Sequence, residues 1–443
     1  MTVETVSHRL LCVALLALAF FIPFSIAGAN FAIGIGLFAW LLSAVASRTS
    51  NGTRTDIARR RSGWRQITSD PLLVASVLLV ASAVPSVLVS DHAARAFKDW
   101  TSYWLFAVYF LVAANAATRS IRGALLWTLF ASTTLSCLVA FVQRAGGVDL
   151  GFIHIRGEHR VGSTLFTMTF AGILYQVLVL NFALALRRGA RRRQRAVMWA
   201  GVMLQFLALL LTVTRGAWLA FGAGLVALCA LLRSRLALAT GAVAVAAVFV
   251  FASVTARDSG RNVSPALLTK QVDIHAATRL VLWDVAWDLF KANPVLGVGM
   301  GDYSSAADSL VGDRFVTTTT DTHNVYLQIL ATRGLVGFLP FAFFWFVVFR
   351  ALLRMKRGLE RGSIDWHLVV GGIAVTVAVL VGALTENNVD DEEVFIAYLF
   401  VLGLVRSAVY ALPKEVKGTG AVRPAEPRRV VTPASSGGPA GPR

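Results

Sequence analysis

Residues 166–186 read FTMTFAGILYQVLVLNFALAL, residues 187–195 read RRGARRRQR, and residues 197–213 read VMWAGVMLQFLALLLTV. Two apolar runs, each near the length that bridges a hydrocarbon core, flank a knot of arginines. That is the pattern of two membrane helices joined on the side that collects positive charge. The alternation repeats along the chain, with further apolar runs at 10–26, 31–45, 71–89, 100–117, 124–142, 217–232, 236–254, 335–349, 368–384 and 395–412. Together they predict an all-α, polytopic membrane protein of about 12 transmembrane helices.

Composition agrees. With 56% hydrophobic and 15% charged residues among 443, there is too little polar surface to clothe a soluble protein. Cys12, Cys137 and Cys229 all lie inside apolar runs, which excludes a disulfide framework or a cysteine-held metal and leaves packing as their role. The net charge of +18 arrives as short arginine clusters between apolar runs, without interleaved aromatics, so no nucleic acid partner is expected. Asn30 leads straight into a second apolar run, so the first run is read as a span and not as a signal peptide.

Orientation follows from the loops. One side receives Arg59 to Arg61 with Arg65, the cluster Arg187 to Arg195, then Arg350, Arg354, Lys356, Arg357 and Arg361, and the tail with Arg428 and Arg429. The other side holds only Arg95, Lys98, Arg144, Arg156, Arg160 and Arg215 in its short loops. Positive charge stays inside, so both termini are expected in the cytoplasm and the sparse residues outside. The predicted organisation is helices 1–9 over 1–254, an outer loop domain over 255–334, helices 10–12 over 335–412, and a disordered tail over 413–443 rich in Pro, Gly, Ser and Arg.

Within the long outer loop, Leu280, Trp283, Trp287 and Phe290 recur at helical spacing and Asn293-Pro294 stops the run. This predicts an amphipathic helix lying on the membrane or on the bundle. A Gly297, Gly299, Gly301 turn follows; with no strand before it, it is a weak candidate for a nucleotide cradle. A second helix is expected from Asp321-Thr322 to about Arg333-Gly334.

The candidate chemistry collects outside. Arg215, in the tight turn Thr212-Val213-Thr214-Arg215-Gly216-Ala217, is placed to grip a lipid phosphate bidentately or simply to snorkel to headgroups. Arg156 and Arg160 flank Gly157-Glu158-His159 and form either a diphosphate site or a solvated cluster around Glu158. Arg279 sits on the amphipathic helix, where position alone suggests a surface role. His323 stands at the start of a predicted helix, whose positive dipole end disfavours imidazolium. A neutral imidazole there could take a proton as general base, or could merely cap the helix. The acidic run Glu386, Asp390, Asp391, Glu392 and Glu393 is expected to pair with the outer arginines or repel anionic headgroups, and no metal site is expected from it.

In their order, these elements resemble the O-antigen ligase and polymerase family of membrane glycosyltransferases. The resemblance rests on 156–163, Thr214-Arg215-Gly216-Ala217, Arg279-Leu280 with Trp283, Asn293-Pro294-Val295-Leu296-Gly297-Val298-Gly299, His323-Asn324-Val325-Tyr326-Leu327 and Gly334-Leu335-Val336-Gly337. It implies a C-type glycosyltransferase-like fold in the bacterial inner membrane, with a periplasmic active site that moves a glycan from undecaprenyl diphosphate to the lipid A core. The implied chemistry is inverting, metal-independent and free of cofactors. Arg215 would stabilise the diphosphate with Arg160, Arg156 and Arg279, and His323 would deprotonate the acceptor. One long outer loop favours a ligase over an O-antigen polymerase, while a protein O-oligosaccharyltransferase shares the motifs. A lipid or glycan transporter would instead place ionisable groups at mid-membrane and show internal repeats.

Overall fold

A computed structural model describes residues 3–49, 67–146, 161–187, 189–233, 274–311 and 321–410, with isolated positions between 235 and 246 and at 441. The described residues form fourteen α-helices: α1 (Val3–Phe21), α2 (Ile26–Thr49), α3 (Pro71–Leu88), α4 (Ala93–Thr101), α5 (Phe106–Asn115), α6 (Arg119–Gly146), α7 (Thr167–Ala185), α8 (Arg192–Leu211), α9 (Arg215–Leu232), α10 (Ile274–Ala292), α11 (Tyr303–Val311), α12 (Val325–Arg357), α13 (Ile364–Gly382) and α14 (Glu392–Tyr410). Eight of them are long and apolar enough to cross a membrane, and α1 is a shorter apolar helix. The protein is thus an all-α polytopic membrane protein. The expected span at 236–254 falls largely, and the tail at 413–443 almost entirely, outside the described residues.

The helix α7 forms the centre. Every residue from Thr167 to Ala185 except Met168 is buried, so its all-round apolar sequence faces protein and not lipid. Its amide N–H groups find acceptors: Gln176 donates to the Gly172 and Val394 carbonyls, and Asn181 donates to Gln205. One end of α7 is tied by Thr169 to Asp391 at 2.8 Å, and the other by the Ala183 carbonyl to His367 at 3.0 Å. About 1.5 Å of rise per residue separates those two ends by most of a bilayer. The arginine cluster at 187–195 follows the His367 end, whereas residues 383–391 lie at the Asp391 end.

The packing adds detail to two expectations. The buried face of α10 is Leu282, Val285, Ala286 and Leu289, while Leu280 and Trp287 stay exposed. Both stripes have helical spacing, and the one that meets α11 and α12 is made of the smaller side chains. The helix expected to end near Arg333-Gly334 and the span expected at 335–349 form the two halves of one long element, α12, which is broken at Gly334 (φ 56°, ψ −157°). That region is open essentially to glycine alone.

The broken helix frees backbone groups that need partners once they are taken out of water. The segment after Asn293-Pro294 supplies partners for both halves. Val298 and Gly299 N–H donate to the Ala331 and Thr332 carbonyls at 2.9 and 3.2 Å, and the Pro294 and Val295 carbonyls accept from Leu335 and Val336 at 2.9 and 3.1 Å. A Cβ on Gly334 would lie 2.4 Å from the Val295 backbone, and one on Gly297 would lie 2.3 Å from that of Thr332. The glycine run is therefore a strap across the break.

Candidate active site

The corner that starts α12 is held by local bonds. Asn324 caps the helix by accepting from Tyr326 and Leu327 N–H, and Thr322 Oγ1 accepts from Asn324 N–H at 3.1 Å. Val325 N–H donates to the Ala383 carbonyl at 2.9 Å, and the Tyr326 hydroxyl donates to the Leu380 carbonyl at 2.7 Å, which fixes the corner to the end of α13. The Trp283 indole donates to the Thr322 carbonyl at 3.0 Å and ties in α10. His323 sits at the apex in the left-handed region, φ 49°, with its N–H on Asp321 Oδ1 at 2.7 Å. A non-glycine residue held there is costly by about 1–3 kcal/mol and is kept only where the surroundings dictate it.

Glu386, in the turn after α13, joins three elements. Its Oε1 accepts from Arg279 of α10 at 2.6 Å, and its Oε2 lies 3.5 Å from His323 Nδ1, which is also 3.4 Å from Asp321 Oδ1. The third is the start of α9. Gly216 packs so closely on this turn that a Cβ there would lie 2.4 Å from Thr385 Oγ1 and 3.5 Å from Glu386 Cγ. Arg215, one residue earlier, is exposed beside it.

The electrostatics differ from the dipole expectation. The Glu386 carboxylate raises the imidazole pKa above its ordinary value; burial opposes it, and the charges of Asp321 and Glu386 add to the rise. Two carboxylates outweigh the diffuse helix dipole because they stand within 4 Å. With Nδ1 facing both carboxylates, the ring proton belongs there, and Nε2 is left as the acceptor.

The structure thus brings Arg279 and His323 onto Glu386, with the start of α9, which carries Arg215, packed against the same turn. Arg156 and Arg160 lie outside the described residues. Glu386 carries the arrangement, though sequence reasoning gave it only a pairing role; the pairing with Arg279 is present, and the contact with His323 was invisible because the two residues lie far apart in the chain.

Residues 200–342 match the family model described as O-antigen ligase. Over that stretch, about a third of the chain, the protein is similar to O-antigen ligases. The matched segment takes in Arg215, Arg279 and His323, whereas Glu386 lies beyond it. No curated protein matches the chain.

Proposed function

We propose that this O-antigen ligase family protein transfers a glycan from undecaprenyl diphosphate to the lipid A core on the periplasmic face of the inner membrane. The observation that supports it best is the convergence of Arg215, Arg279 and His323 on the Glu386 turn, at the end of α7 opposite the arginine cluster. By the positive-inside rule that end is periplasmic and both termini are cytoplasmic, with 255–334 forming the periplasmic domain.

In the reaction, the acceptor hydroxyl oxygen attacks the anomeric carbon as its proton passes to His323 Nε2. The bond from that carbon to the phosphate oxygen breaks, and its electron pair leaves with the diphosphate. Arg215 and the N–H groups of Arg279 not engaged by Glu386 bind the charge that grows there, joined by Arg160 and Arg156. Attack opposite the leaving group inverts the anomeric carbon. No metal or nucleotide enters any step.

The test is transfer by purified protein given a lipid-linked glycan and lipid A core in EDTA without ATP. Glycan attached to the core is expected. Polymerised donor alone would indicate a polymerase, glycan on protein would indicate protein glycosylation, and activity restored only by a divalent ion would sink the arginine-held diphosphate.

A further inference from the structure

A cavity of about 490 Å³ opens beside the corner, between α3, α4, α12 and the start of α14. This lies within the ~300–1,000 Å³ range of small-molecule sites. Asp321 lines it and also flanks His323, so the cavity adjoins the proposed base. Its depth is aromatic, with Phe341, Phe344 and Trp345 from the second half of α12.

Two features of its wall restrict what could fill it. Among the described residues, seven buried side-chain polar atoms lack a hydrogen-bond partner, and three of them belong to residues of this wall: Arg333 Nε, Trp345 Nε1 and Asn387 Oδ1. Buried polar atoms are nearly always satisfied, so such a concentration asks for a partner that both accepts and donates. The charge balance is also one-sided, with Asp99, Asp321, Asp390 and Glu392 against Arg95 and Arg333. Arg333 is itself buried, with a hydroxyl contact to Tyr103 and Asp390 at 3.6 Å. A phosphate or diphosphate would meet net negative charge here, whereas Arg215 and Arg279, which suit it, do not line this cavity.

We infer that this cavity is a saccharide site that takes a neutral, hydroxyl-rich sugar of the acceptor. Hydroxyl groups donate to the carboxylates and to Asn387, and accept from the arginine and indole N–H groups, while the sugar's C–H faces lie on the aromatic rings. Its assignment to the acceptor rests on the transfer reading, since it divides the substrates about His323: diphosphate on the arginine side, receiving sugar on the carboxylate side.

Direct binding separates the two ideas. Full-length protein in nanodiscs is titrated with dephosphorylated core oligosaccharide, released by mild acid, with no donor present. Saturable binding is expected, weakened roughly five- to ten-fold by Trp345→Phe, which removes one donor and keeps the aromatic plane. Ser304→Phe, which fills the half-buried mouth, should abolish it. Asp99→Asn at the exposed rim should weaken it and serves if Ser304→Phe does not fold. Inorganic phosphate should not compete. Absence of saturable binding, equal binding by the variants, or displacement by phosphate overturns the inference. If the oligosaccharide binds as described while no transfer occurs with any donor, the saccharide site stands and the transfer reading falls.

Discussion

Two buried acidic residues at opposite ends of the bundle have been given different work. At the arginine-rich end Asp70 is fully buried, and both its oxygens are used: Leu72 N–H at 3.1 Å on one, Tyr109 hydroxyl and Arg406 Nε at 2.8 Å each on the other. Its backbone is ordinary and extended, and it caps α3 ahead of Pro71. At the other end Glu386 keeps 12% of its side chain exposed and divides itself between Arg279 and a histidine held in a strained conformation. Closed, satisfied geometry fixes helices in place. Strain, partial exposure and a titratable partner mark the cluster suited to chemistry.

The comparison predicts that changes near the strap and at Asp70 harm folding, whereas changes around Glu386 harm transfer. The largest effect is expected from Gly334→Ala, because the added methyl meets the Val295 backbone in a conformation that alanine avoids. Little monodisperse protein should survive size-exclusion chromatography; a normal elution profile would mean the break is not needed. Asp70→Asn should lower stability by about 3–5 kcal/mol by removing the buried carboxylate charge that faces Arg406, seen as a fall in thermal unfolding temperature. Whatever remains folded should retain its transfer rate, and a catalytic defect there would erase the distinction drawn between the two ends.

Arg215→Lys keeps the charge and loses the planar fork. Donor affinity and rate should fall by about ten- to a hundred-fold in protein that inserts normally. Unchanged values would reduce Arg215 to a headgroup anchor.

The smallest effect is a displacement along the pH axis. Because Glu386 raises the His323 pKa and the neutral imidazole is the base, transfer should rise with pH through that raised value. Glu386→Gln lowers the pKa, so the acid limb should move to lower pH while the plateau rate falls with the weaker base. Glu393, whose carboxyl burial and Asp391 push up to about 7, titrates in the same window. It is present in both proteins and so drops out of the comparison. Stability gives a second reading of the same pair. A raised histidine pKa contributes stability that is complete below the unfolded value of 6.5 and lost as pH rises through the folded one. Glu386→Gln should flatten that slope, and a limb and slope that both stay put would dissociate Glu386 from His323.

Most spans were legible because lipid demands long apolar runs with charge at their ends, and α7 and α8 stand where 166–186 and 197–213 placed them. What escaped was carried by the backbone. The break at Gly334 reads in sequence as a helix end followed by a span, and its repair comes from N–H and C=O groups of 294–299 that no side-chain pattern announces. The glycines were visible, but the surface they pack against was not. At the site, Arg215 and His323 stood out by their turns, while the pairing of Glu386 with His323 is a tertiary contact between segments that share no local pattern. Arg333 was read only as a helix terminus, and its burial against Tyr103 and Asp390 is a tertiary arrangement that no local pattern announces.

The central claim is that His323, set between Asp321 and Glu386, takes the acceptor proton. Single-turnover transfer from a saturating lipid-linked glycan to the core, measured for wild type and His323→Ala with donor binding followed in parallel, tests it most directly. A rate lowered by about a hundred- to ten-thousand-fold with donor affinity nearly unchanged is the expected result. Near-normal transfer by His323→Ala would contradict the assignment.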